Sequence, residues 1–442
     1  MKLLLVCKHP ESNQSSYDLV KHLCKEPSHT ELTVYGVQNT TVNKTRCIEE
    51  PNVRFIDADD NGSRLDIDVL HKELTASDAA PYDAMIIIHT INIVTTIARS
   101  LEGTLEAVPT RTMLYCEIPR EFPHRRYFES LGALAQNPKL AGRIRVATPS
   151  EGGKALVERF VAPAHVQVLP FGVNPGSYYT IPRDVSRAAI EFPDDGTFVV
   201  FCLGRVDTSV MAFADFVRHN PGVKAKLLLP IEESLGDAVK EFYTLEMAEA
   251  GVADAAAALS MLVLMKDVAY MNNEELNVIA CSANVIVHAN VITDLNLYVA
   301  QFAMTEVPQI VPDLPSNTTF VDKRYVAKVP TVFDFYSFDD YGGRLSLCSH
   351  RDISNAISAV YANQASAETN AAALGSGMAV VVAHQLAWKH WKHAIDAVAS
   401  SKSCGHGKGG GHGSGDKCKT DYADEIDGLK KKLQNIMLKI AK

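Results

Sequence analysis

Short, unbroken apolar runs alternate with amphipathic segments along most of this chain. Lys2–Cys7, Glu31–Val37, Val53–Ile56, Ala84–His89, Arg111–Cys116, Arg143–Ala147 and Val166–Leu169 read as strands. Ser16–Cys24, Ile91–Leu101, Arg125–Gln136 and Pro149–Val161 read as helices between them. Apolar runs without polar alternation fit strands buried on both faces, and strand–helix alternation predicts a parallel sheet under covering helices. Pro170–Pro193, rich in proline, glycine and aromatic residues, breaks the rhythm and reads as a connector. The alternation then restarts, with strands Phe198–Leu203, Lys224–Leu229 and Leu259–Met265 and helices Val210–His219 and Leu235–Ala250.

The most regular stretch runs from Glu274 to Pro312: helix Glu274–Cys281, strand Asn284–His288, helix Leu295–Met304, strand Gln309–Val311. Its loop Ala289–Asp294 sits at the carboxyl end of a parallel strand, where open α/β sheets bind ligands, and feeds a helix start that suits a phosphate. A plain packed strand–helix–strand unit has the same pattern. Pro330–Gly343 reads as a loop, and Ile353–Ala362, Ala367–Val382 and Gln385–Ala399 as helices. Ser400–Thr420 is a glycine-rich, flexible linker. In the last segment Tyr422, Ile426, Leu429, Leu433, Ile436 and Ile440 recur at heptad spacing, with acids leading and lysines trailing, as an amphipathic or coiled-coil helix requires.

The expected fold class is therefore α/β, with two Rossmann-like doubly wound domains. They span 1–175 and 197–400, joined by a connector at 176–196 and followed by a linker at 401–420 and a helix at 421–442. A length of 442 residues exceeds what one core supports, which agrees with two domains. The net charge of −9 argues against a nucleic-acid partner. Nine cysteines, most of them inside apolar runs, fit a reducing, cytoplasmic setting. Leu3–Cys7 is far too short for a membrane span. Lys8–Ser15 holds no glycine, so no phosphate-loop fingerprint follows the first strand. Cys404, His406, His412 and Cys418 are metal-ligand types, but their spacing matches no ordinary zinc site. The terminal helix at 421–442 is expected to join subunits into a homo-oligomer or to meet a partner helix.

Several local motifs, in order, resemble the retaining glycosyl transferases group 1 family, which has the GT-B architecture. VQVLPFGVNPGSY (Val166–Tyr178) resembles that family's crossing between domains, and RVATPSEGGKALVERF (Arg145–Phe160) its strand and helix just upstream. FVVFCLGRV (Phe198–Val206) resembles the first strand of its nucleotide domain with the Gly-Arg that follows. The stretch around Glu274–Pro312 resembles its donor block, and GGRLSL (Gly342–Leu347) with the tryptophan-bearing helix its closing elements. The resemblance covers residues 1 to 400, and the ordered set carries it rather than any one motif.

That resemblance implies an enzyme needing no cofactor or metal, which takes a sugar from a UDP- or GDP-linked donor. The sugar goes to a hydroxyl on a glycan, protein or lipid acceptor with retained configuration. Arg205 falls on the family's diphosphate-contacting arginine, a job for which a planar, permanently charged fork is suited. Thr293 and Gln301 fall on its paired glutamates, and Asn296 and Leu297 where backbone amides meet donor phosphates. Glu117 falls on a glutamate of the first-domain cleft, and Arg205 and Glu117 are the candidates for catalysis. His89, Arg120 and His124 are candidates on the acceptor side.

Four departures stand out. Gln301 offers one acceptor oxygen where a carboxylate offers two, and Thr293 carries no charge. Asp294 puts a negative charge where a glycine precedes the diphosphate, and the lysine that follows the Gly-Arg is missing. Two readings follow: a glycosyltransferase, or a GT-B-derived binding or assembly protein that has lost catalysis and works through its terminal helix.

Overall fold

The computed structural model describes residues 1–10, 13–25, 31–37, 48–57, 66–76, 81–118, 123–174, 176–192, 195–289, 296–314, 326–337, 339, 342–381 and 384–400. Arg120, Thr293, Asp294 and the expected linker and helix at 401–442 lie outside these residues.

The first lobe is built on a parallel sheet of β1 (Lys2–Lys8), β2 (Glu31–Val37), β3 (Val53–Asp57), β4 (Ala84–Thr90), β5 (Arg111–Glu117), β6 (Ile144–Thr148) and β7 (Val166–Val168). Its spatial order is β3-β2-β1-β4-β5-β6-β7, so the winding reverses between β1 and β4. Alternate residues of β1 enter opposite cores. Leu4 and Val6 pack on one face, Leu3, Leu5 and Cys7 on the other, and all are fully buried. Helices α1 (Gln14–Leu23), α2 (Ile67–Thr75), α3 (Ile91–Ser100), α4 (Glu102–Ala107), α5 (Arg125–Gln136) and α6 (Glu151–Val157) accompany these strands. Local chemistry sets several of their starts: Asn13, Asp66 and Ser150 each accept a backbone N–H of the first turn.

The second lobe repeats the plan with β8 (Phe198–Gly204), β9 (Ala225–Ile231), β10 (Leu262–Lys266), β11 (Val285–Ala289), β12 (Gln309–Pro312) and β13 (Ala327–Val329), preceded in the chain by α7 (Arg183–Ala189). The order β10-β9-β8-β11-β12-β13 reverses between β8 and β11. Helices α8 (Val206–His219), α9 (Gly236–Glu249), α10 (Ala255–Ser260), α11 (Asn273–Ser282) and α12 (Leu297–Ala303) lie between the strands. α11 opens with a reciprocal capping box: Asn272 Oδ1 accepts from Glu275 N–H, and the Glu275 carboxylate accepts from Asn272 N–H, both at 2.8 Å.

The expected loop at Pro330–Gly343 is instead half of an antiparallel hairpin, β14 (Thr331–Tyr336) against β15 (Arg344–Cys348). Its run TVFDFY is rich in β-branched and aromatic residues, a strand composition that the neighbouring prolines and glycines obscured. The connector also holds more than a loop: α7 buries Arg187, whose guanidinium donates to Ser282 O (3.1 Å), Thr197 O (3.0 Å) and Asn284 Oδ1 (2.8 Å). Leu259–Met265, expected to be one strand, divides between the end of α10 and the start of β10.

After the hairpin come α13 (His350–Ala362), α14 (Gln364–Val381) and α15 (His384–Ser400). α15 follows the second lobe in sequence but covers the first sheet in space. Trp391, Ala394, Ile395 and Val398 pack with Leu3, Leu5 and Ile86, and the indole N–H of Trp391 donates to Pro170 O at 3.1 Å. The Trp391 ring also lies 5.0 Å from Tyr115 and 5.6 Å from Phe171. The chain thus crosses between the lobes twice, once through the connector and once through the approach to α15.

Candidate functional site

In a doubly wound sheet, ligands bind outside the carboxyl ends of the strands where the winding reverses. Here that rule marks two places, the ends of β8 and β11 in the second lobe and of β1 and β4 in the first.

At the second-lobe crevice, β8 ends at Gly204, whose φ of +106° lets the strand turn sharply into Arg205. Arg205 precedes α8, and its N–H points to Ala289 O at the end of β11 (3.4 Å). Its guanidinium grips Asp207: Nε donates to Oδ1 at 3.0 Å and the terminal nitrogen to Oδ2. The same Oδ1 accepts Thr208 N–H at 2.7 Å. Arg205's hydrogen bonds hold the Asp207 carboxyl below its usual range, and Asp207 in turn pushes Arg205 up.

Asn296 is the N-cap of α12. Asn296 makes no side-chain cap bond, and its Oδ1 has no hydrogen-bond partner among the described residues. Gln301 Oε1, one turn further on, is likewise unsatisfied. Both side chains are almost fully buried, at 4% and 3% exposure, where a lone acceptor costs roughly 1–3 kcal/mol. Leu297 faces the first lobe across a small, partly open recess that it shares with Ser15, Asp18, Phe171 and Trp388.

Two further polar residues lie behind α12. His288, near the end of β11, donates from Nε2 to Gln309 Oε1 (2.7 Å), and Gln309 donates to Val299 O (3.2 Å), tying β11, β12 and α12 together. Burial lowers the His288 pKa to about 4, so the ring is neutral. Neither residue was singled out from sequence, although a histidine and a glutamine inside apolar runs were the available signal.

At the first-lobe crevice, Glu117, expected to open a loop, is the last residue of β5 and pairs in register with Thr90 of β4. Its carboxylate meets Lys8 Nζ from the end of β1 at 3.1 Å. His89, buried on the intervening β4, accepts Thr90 N–H at Nδ1 (2.8 Å), which leaves the ring proton on Nε2. Burial first and the Lys8 charge second lower its pKa to about 3. Lys8, Glu117 and His89 therefore converge at the reversal point of the first sheet, and Lys8 is the member that sequence reasoning missed.

His124 reaches the second lobe. It precedes α5 without capping it, and its Nε2 lies 3.1 Å from Asp339 O at the tip of the β14–β15 hairpin. Gly342 packs so closely that a Cβ there would sit 2.9 Å from three ring atoms. Arg125 and Arg126 point elsewhere: Arg125 bonds Glu129 at 2.7 Å and Arg126 stacks on Tyr127. Among the described residues no group of three His, Cys, Asp or Glu side chains is disposed to hold a metal. Nor is any of their helices long and apolar enough to cross a membrane.

Two doubly wound lobes, with crevices at the reversal points of both sheets, define the GT-B fold of glycosyltransferases. The chain is similar over nearly its whole length to solved members of that fold. A glycosyltransferase from Rickettsia africae matches with a TM-score of 0.65 at 9% identity, over 91% of this chain and 99% of that one. Anabaena HepE in complex with UDP matches at 0.62 and 12%, over 89% and 100%. Sucrose-phosphate synthase from Thermosynechococcus elongatus matches at 0.61 and 15%, over 90% and 100%. HepE has also been solved with UDP-glucose. No family model matches the sequence, and no relative is found among curated proteins.

Proposed function

We propose that this protein is a glycosyltransferase that binds a UDP- or GDP-linked sugar at the second-lobe crevice and passes the sugar to a hydroxyl acceptor. The observation that carries the reading is the pairing, at one reversal point, of a guanidinium fork with two buried, unsatisfied acceptors, Asn296 Oδ1 and Gln301 Oε1. A nucleotide sugar brings complementary groups: a diphosphate for Arg205, and ribose or hexose hydroxyls that donate to the two acceptors. The complexes of HepE with UDP and UDP-glucose support the choice of ligand class.

In this reading Arg205 and the backbone near Asn296 and Leu297 stabilise charge on the departing diphosphate, which accelerates transfer because that charge develops in the transition state. Gln301 and Thr293 hold the sugar nucleotide. Asp294 keeps further negative charge nearby. Glu117, paired with Lys8, orients the acceptor hydroxyl, with His89, Arg120 and His124 on the acceptor side. Retention of configuration and independence from metal and cofactor belong to the proposal, as does association through 421–442.

Calorimetric titration with UDP, GDP and their sugars tests it. Binding is expected below millimolar concentration, and Arg205→Ala should weaken it tenfold or more, about 1.5 kcal/mol for a charged contact. Absence of binding by every nucleotide would sink the reading. The alternative, a GT-B-derived binding or assembly protein without catalysis, draws on Arg205 being already neutralised by Asp207. It predicts no transfer or hydrolysis of UDP-glucose, and absence of binding by every nucleotide at millimolar concentration would favour it.

A further inference from the structure

We propose that Asp207 is a resident competitor in the donor site, and that a donor diphosphate must displace its carboxylate from the Arg205 fork. The inference rests on the donor-site reading given above. Asp207 receives what an anionic ligand would receive there. One oxygen takes Arg205 Nε (3.0 Å) together with the main-chain N–H of Thr208 (2.7 Å), and the other takes the terminal guanidinium nitrogen. This is bidentate anion recognition, completed by a backbone donor. Arg205 is the extended N-cap residue and Asp207 lies in the first turn of α8, so the pair closes across the start of the helix.

The pair is also placed to open. Its side chains are 39% and 49% exposed, and ion pairs this exposed are weak. A diphosphate offers more charge and more oxygens than one carboxylate and wins the exchange. The cost is an apparent affinity reduced by the fraction of molecules in which the fork is engaged. Asp207 thereby sets a threshold: diphosphates pass it, and ligands carrying one weak anionic group do not.

Calorimetric titration of the full chain with UDP distinguishes the outcomes, using wild type, Asp207→Asn, Asp207→Ser, Arg205→Ala and the Asp207→Asn/Arg205→Ala double variant. The neutral variants at 207 should bind UDP about two- to fivefold more tightly than wild type, the opposite sign from a ligand-contacting residue. Arg205→Ala should bind at least tenfold more weakly, and the double variant should match Arg205→Ala, because the competitor acts only through the fork. Melting curves confirm that each variant is folded. Unchanged or weaker binding by both 207 variants, with wild type still binding UDP, overturns this inference and leaves the donor site standing. No binding by wild type or by the 207 variants overturns the donor-site reading and this inference with it.

Discussion

His89 and His288 sit neutral inside the two sheets, with pKa values lowered to about 3 and about 4 from an ordinary 6.5. The unfolded chain takes up these protons near pH 6.5, whereas the folded chain refuses them until far lower. Stability is therefore complete above pH 6.5 and falls as the pH drops from there toward 3. For His89 the loss between pH 6.5 and 5 amounts to about 2 kcal/mol. Urea midpoints at pH 7.5 and 5.0 check this: His89→Gln, which keeps an acceptor for Thr90 N–H, should show a visibly shallower decline than wild type. An identical decline would mean that His89 is not a source of the acid sensitivity. Arg205 and Glu117 were legible as candidates through the family resemblance, and His89 because it lies where an apolar run stops. Their partners were not: Lys8 meets Glu117 across 109 residues, a contact no local pattern encodes.

Among the elements, the β14–β15 hairpin departs furthest from what the chain's rhythm implied. Its tip leaves its own lobe and seats Gly342 on the His124 ring of the other. Gly342 has φ +70°, which side chains rarely adopt, and no room for a Cβ. Gly342→Ala should cost roughly 1–2 kcal/mol and lift the tip from His124. Two readouts follow: faster amide exchange at Asp339–Gly343, and a longer distance between spin labels placed on the two lobes. If neither moves, the contact does not hold the lobes together. The capping signatures at Asn13, Asp66, Ser150 and Asn272 could be read locally because each cap oxygen and the backbone N–H that donates to it lie within three residues.

For the molecule as a whole, the heptad seam at 421–442 remains an expectation with a direct check. Removing 401–442 should lower the solution mass to that of a monomer; an oligomer that survives the cut excludes the segment as its cause. The two-lobed plan itself followed from patterning, since unbroken apolar runs between amphipathic segments have few outlets other than parallel sheets covered on both faces. Several strand ends followed as well, because chain stiffness and burial act within a few residues, while the Gly-Arg after β8 was marked by the family resemblance. The final helix's return to the first sheet, the closing of Asp207 on Arg205, and the burial of Asn296 and Gln301 without donors among the described residues were settled only in three dimensions. Each depends on distances between groups far apart in the chain or on how a side chain turns, and hydrophobic periodicity carries no information about either.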